Sequence, residues 1–180
     1  GIYIQTSASN NTIGGRGAGD GNVISGNTNS TGTNGRGIDI SSNGSNAFNN
    51  VILGNIIGTQ ADGNTLVAGG SQWCGVLIGS YSNTIGGSAS GSRNIISANG
   101  GVGVRFGGAS CSLNVVIGNY IGLASDGASI IPGSSQDEGV NFTTWANNNT
   151  IGGSAAGEGN VISGNNDGSS SGRGVYIGID

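Results

Sequence analysis

The 180-residue chain contains no lysine, no histidine and no methionine, and its five basic residues are all arginine. Charged residues make up only 8% of it, against roughly 25% in an ordinary globular protein. With so few basic residues and a formal net charge of -4, it lacks the clustered Lys/Arg that nucleic acid or an anionic membrane surface requires. No apolar run approaches the ~18 residues of a spanning helix, so no membrane span is expected. Cys74 and Cys111 form no CxxC pair and have no histidine beside them, which argues against zinc. A Cys74–Cys111 disulfide stays open, although the two occupy different positions of the repeat described below. Long helices are excluded by 40 glycines and by the lack of a 3.6-residue apolar period. The chain opens on GIYI, which is no secretory leader. Either a leader has been removed or the piece belongs to something longer.

What the chain does contain is repetition. Asn10–Asn27 reads NNTIGGRGAGDGNVISGN, Ser82–Asn99 reads SNTIGGSASGSRNIISAN, and Asn148–Asn165 reads NNTIGGSAAGEGNVISGN. Three short words recur in fixed order (φ stands for an apolar residue). G-φ-x-φ appears as GIYI, GIDI, GVLI, GVRF, GVNF and GVYI, starting at Gly1, Gly37, Gly75, Gly103, Gly139 and Gly174. N-x-φ starts at Asn11, Asn50, Asn83, Asn114 and Asn149, and N-φ-I at Asn22, Asn55, Asn94, Asn119 and Asn160. Each word is rich in β-branched residues and bounded by Gly or Asn, which reads as a short β-strand. Three strands per cycle, each followed by a bend, predict a parallel β-solenoid whose strands pair with their equivalents one coil above and below.

A second period is superposed on the first. In the first, third and fifth cycles, the Asn of N-φ-I lies nine positions after the apolar residue of N-x-φ; in the second and fourth cycles, it lies three positions after. The even cycles instead carry aligned insertions, TQADGNTLVAGGSQ and LASDGASIIPGSSQ. The predicted core ladders are Ile13/Ile52/Ile85/Val116/Ile151 and Ile24/Ile57/Ile96/Ile121/Ile162, with a third wall from both apolar positions of G-φ-x-φ. The two Asn rows are expected to stack by side-chain hydrogen bonds and to supply the left-handed backbone of the corners.

The words NTIGG-x6-GNVISGN, NVILGNIIGTQADG and GVxI resemble the right-handed parallel β-helix repeats of secreted and surface-anchored bacterial proteins, within the pectate-lyase-like superfamily. The resemblance covers essentially the whole chain. It implies an all-β, right-handed parallel β-helix of about five three-stranded coils, alternate coils carrying loop insertions, with residues 1–180 as a single domain. It is specific for architecture and poor for function, because the family includes polysaccharide lyases and hydrolases as well as adhesin stalks and fibres.

Enzymes of that architecture, as the resemblance implies, place their acids and bases on one outward strand face. The outward position of G-φ-x-φ gives the row Tyr3, Asp39, Leu77, Arg105, Asn141, Tyr176. Asp39 and Arg105 are its carbohydrate-site candidates. One carboxylate is too few for a glycosidase, which needs two roughly 5–10 Å apart, so no catalytic residue is assigned and the chain is expected not to be an enzyme. No metal site or cofactor is expected. Asp62-Gly63 and Asp126-Gly127 read as turn dipeptides, and GGRGAGD resembles a calcium-binding repeat only loosely. Trp73 and Trp145 fall at different repeat positions and read as loop anchors.

Two outward rows are apolar or β-branched: Val23, Ile56, Ile95, Tyr120, Val161, and Thr12, Val51, Thr84, Val115, Thr150. Either loops cover them or they form a lateral interface. The Thr row raises ice binding, against which its Thr/Val alternation argues. The end words Gly1-Ile2-Tyr3-Ile4 and Gly174-Val175-Tyr176-Ile177 lie inside repeats, so axial self-association into a head-to-tail homopolymer is expected. The resulting functional expectation is an extracellular or cell-surface structural solenoid, a filament subunit or adhesin stalk segment. The alternative is a carbohydrate-active β-helix with a surface glycan as its ligand.

Overall fold

The computed structural model describes residues 1–28, 35–41, 46–143, 145–166, 168 and 172–178. Among them there is no helix, and sixteen strands form three parallel sheets. Sheet A holds β1 (Ile2–Ile4), β4 (Arg36–Ile40), β7 (Cys74–Ile78), β10 (Val102–Phe106), β13 (Glu138–Phe142) and β16 (Arg173–Ile177). Sheet B holds β2 (Thr12–Gly14), β5 (Val51–Leu53), β8 (Thr84–Gly86), β11 (Val115–Ile117) and β14 (Thr150–Ile151). Sheet C holds β3 (Val23–Ile24), β6 (Ile56–Ile57), β9 (Ile95–Ile96), β12 (Tyr120–Ile121) and β15 (Val161–Ile162). The chain is thus a β-solenoid of about five turns, and each strand pairs only with its equivalents in neighbouring coils.

The register is the one the repeated words predict. Ile13 pairs with Ile52, Ile52 with Ile85, Val116 with Ile85 and Ile151, and the sheet C isoleucines stack likewise. These ladders form one buried cluster with Ile38, Val76, Val104 and Val140 of sheet A. Phe106 and Phe142 stack inside it with centroids 4.6 Å apart. Strands of two or three residues hold because in sheets B and C each inward Ile or Val meets a β-branched equivalent at one strand spacing, which fills a narrow core.

The corners are held by carboxamides. Asn55 shows the pattern. Its Oδ1 accepts the backbone N–H of Asn22 at 3.1 Å and the Nδ2 of Asn22 at 2.9 Å. Its own Nδ2 donates to the Ile13 and Leu53 carbonyls and to Asn94 Oδ1. The same relay runs through Asn11, Asn50, Asn83, Asn114 and Asn149, every rung donating toward the next coil. A third relay, which the sequence words do not reveal, joins Asn27, Gln72, Asn99, Gln136 and Asn165 at the corner from sheet C to sheet A. Glutamine stands in it wherever the chain returns from an insertion.

One expectation about the corners is corrected. The ladder asparagines do not adopt the left-handed conformation. In the N-x-φ row that role falls to the preceding residue, Asn10, Asn49, Ser82, Leu113 and Asn148 having φ between 52° and 61°; in the N-φ-I row it does so only in the even coils, where Gly54 and Gly118 have φ of 71° and 70°. The division is physical, since a carboxamide aimed along the axis needs an extended backbone beneath it.

Asn94 is wholly buried and serves as donor and acceptor at once. Asn94→Ala orphans the backbone N–H of Asn55 and takes the side-chain donor from the Ile52 carbonyl, each buried unpaired group costing on the order of 1–3 kcal/mol. A loss of about 3 kcal/mol is expected in urea unfolding, whereas Ser154→Ala, at an exposed loop position, should stay within about 0.5 kcal/mol.

Candidate functional site

Polar chemistry gathers on the outer wall of sheet A. Tyr3, Asp39, Leu77, Arg105, Asn141 and Tyr176 stand in register there, as the outward position of the repeated word predicts. A second row stands beside it: Arg36, Cys74, Val102, Glu138 and Arg173. Strict alternation would send these residues inward. The glycine between the rows prevents it, because it turns its own hydrogen toward the core. A Cβ on Gly139 would lie 2.5 Å from Ile162 Cγ2, and one on Gly103 2.8 Å from Ile121 Cγ2. The strand therefore places residues i and i+3 on the same outer wall. The signal was present in the sequence as the residue before each Gly.

The two rows sort the charges into local pairs. Arg36 contacts the Asp39 carboxylate, which also accepts from Ser41 Oγ, and Asp39 is only 6% exposed. Arg173 Nη1 lies 2.7 Å from Glu138 Oε1, and Asn141 Nδ2 donates to Glu138 Oε2. The hydrogen bond from Arg173 to Glu138 raises the arginine's pKa. The Arg105 guanidinium lies 5.1 Å over the Trp73 ring and that of Arg173 4.4 Å over Tyr176. The two sequence candidates thus part company: Asp39 belongs to Arg36, Arg105 to Trp73, and Leu77 separates them in the row. Asp39 and Glu138 sit three strands apart, about 14 Å by strand spacing, beyond the range of a glycosidase pair. One polar atom on this wall is left over. Among the described residues, Asn141 Oδ1 is buried beneath the surface of this wall and has no hydrogen-bond partner.

Cys74 and Cys111 are both free and buried. Burial pushes each thiol up to about 12, outweighing for Cys74 the nearby Arg105 and Arg36. Neither is a nucleophile at neutral pH. Among the described residues no group of three or more His, Cys, Asp or Glu is placed to hold a metal.

The remaining candidates are distributed as follows. Val23, Ile56, Ile95, Tyr120 and Val161 stand in register on sheet C. Loops cover the middle of that row: Ile95 is buried, and Arg93 lies 4.0 Å over Tyr120 while donating to the Gly118 carbonyl. Val23 and Val161 remain exposed at its two ends. Trp73 is packed as an anchor, but Trp145 is 74% exposed, which corrects its assignment as one. Asp62 and Asp126 close the tips of the insertions, as turn dipeptides should. Asp126 accepts from Ser129 Oγ at 2.6 Å and from the N–H groups of Ser129 and Ala128 at 2.8 and 2.9 Å. These bonds lower its pKa to about 2, the Ser129 hydroxyl first among the causes.

Compared with known proteins, the chain matches no family profile, no curated protein and no solved structure. The fold and the wall of sheet A therefore carry the functional reading.

Three outcomes follow from this geometry. A small alkylating reagent at pH 8 should label neither thiol in the native protein and both in denaturant, as read by intact mass. Glu138→Ala, which strips Asn141 and Arg173 of their partner, should cost about 2 kcal/mol. Because the Asp126 carboxyl is depressed, its contribution is complete above about pH 4 and disappears as pH falls through about 2. An NMR titration of its carboxyl carbon should show that low midpoint.

Proposed function

We propose that this protein is a structural solenoid, a rod-like segment of an extracellular or cell-surface filament or adhesin stalk. Its axial neighbours would be coils of the same kind; further chain supplies them in one form of this reading and other copies in a head-to-tail polymer in the other, and the loop geometry described below favours the first. The observation that carries the reading is the set of three carboxamide relays, which run through all five coils in one direction. Together with the stacked isoleucine core they favour stiffness along one axis. Most of the charge on the outer wall of sheet A is taken up in pairs and cation–π contacts. A rod that must resist proteases gains from this: lysine is absent, and four of the five arginines lie against a carboxylate or an aromatic ring, which leaves exposed Arg16 as the site open to trypsin-like enzymes.

A second reading is favoured by one observation. Arg105 lies over Trp73 and stands in register two strands from Tyr176 on the same wall, and a cation beside aromatic faces suits a surface glycan. Membership of the pectate-lyase-like superfamily would go with that reading.

Electron microscopy and fibre diffraction of material isolated from its source separate the two. Straight unbranched rods should appear, with an axial strand repeat near 4.8 Å. Because coils alternate in type, a doubled repeat at about 9.6 Å should accompany it. Isolated particles that release reducing or unsaturated sugars from a panel of polysaccharides would reverse the conclusion.

A further inference from the structure

The loops of this solenoid are two coils thick. A Cβ on Gly91 would lie 2.1 Å from the Arg16 carbonyl oxygen, and one on Gly157 2.8 Å from that of Ser88. The excursions of coils 1, 3 and 5 therefore touch one another, although an even coil separates their strands. The even coils fit by turning tightly beneath them: the Gly54 and Gly118 N–H groups donate to the Ser92 and Glu158 carbonyls, both at 3.1 Å. The insertions of coils 2 and 4 behave in the same way across coil 3. The Ser125 N–H donates to Gly63 O at 3.1 Å and its hydroxyl to Asn64 Oδ1 at 2.8 Å. Loops already in contact at two strand spacings, about 9.6 Å, have no room at one.

We infer that the axial position beyond coil 5 is a seat selective for one kind of partner: a solenoid coil of the even type, with a tight glycine turn and a long insertion. Two observations shape the seat. Ile130 in the coil 4 insertion is 63% exposed, whereas the aligned Leu66 in coil 2 packs under Ala124 and Ile131 of coil 4. An even coil would lay its own insertion over Ile130 in the same manner. Among the described residues sheet A has six strands and sheets B and C five each, so an even coil stacked here would extend B and C by one strand. The words NVILGNII and NVVIGNYI are of the required form, and their first and sixth residues present the Asn side-chain oxygens that the N–H groups of Asn149 and Asn160 would meet. An odd coil, the first coil of a second copy included, would bring its excursion within one strand spacing of residues 153–159.

The seat supplies the structural reading with its joint and takes its biological meaning from it. The two fail separately, because a glycan-cleaving solenoid can carry such a seat and a rod can lack it. The test is a pair of fusions grafted after Ile177 of the full chain. One carries residues 107–136, an even coil; the other carries residues 79–101, an odd one. The even graft should raise the thermal midpoint by about 5 °C and protect the amides of β14 and β15 from hydrogen exchange. The odd graft should do neither. Ile130→Ser should reduce the even graft's gain by about half while moving the ungrafted chain by less than about 1 °C. An odd graft that stabilises equally would overturn the inference. So would indifference of the even graft to Ile130→Ser, or end-to-end fibres grown from the ungrafted chain alone.

Discussion

The structure depends on what happens to peptide groups at the corners of a very small coil. Within a sheet every N–H and C=O finds a partner one strand away. At a bend the backbone turns out of the ladder, and its polar groups are buried without one. A buried unpaired group costs on the order of 1–3 kcal/mol, and a solenoid meets that cost three times per coil. Asparagine resolves it because one carboxamide has an acceptor for the N–H groups of the preceding coil and a donor for the corner carbonyls. Asn55, Asn94 and Asn119 each do both. With the corners satisfied, strands of two residues suffice.

That solution shapes what the surface can offer. Glycine at the inward position of sheet A keeps the wall thin and brings residues i and i+3 to the same outer face. Charges placed there find one another before they find a ligand: Arg36 with Asp39, Arg173 with Glu138. The chemistry is therefore that of a polar surface on which Asp39 and Glu138 are each taken up by an arginine. The loops follow a different logic. Each is too thick for one strand spacing, so excursions and insertions must alternate, and the true axial unit is a pair of coils.

Much of this was legible in the repeats. The three sheets, their parallel register, the isoleucine ladders and two of the three carboxamide relays follow from words that recur at corresponding positions. The third relay was hidden because Asn27, Gln72, Asn99, Gln136 and Asn165 alternate between two residue types and stand at unequal distances from their strands. The row Arg36, Cys74, Val102, Glu138, Arg173 was hidden because strict alternation sends it inward, and only the packing of each glycine against a corner isoleucine reverses it. Trp145 read as an anchor because large aromatics usually bury; its place on a left-handed corner residue leaves it in solvent.

The sequence by itself determined the coil: which residues form strands, which isoleucines and valines fill the core, which residues stack along the axis and which coils carry loops. It could do so because a solenoid's contacts join equivalent positions, so that a repeated word implies its own partner. Only the tertiary structure decided which outward residues pair, which of the apolar rows the loops cover and why the two loop types take turns. Those outcomes depend on side-chain reach and loop thickness between non-equivalent positions, and neither is written in a repeat.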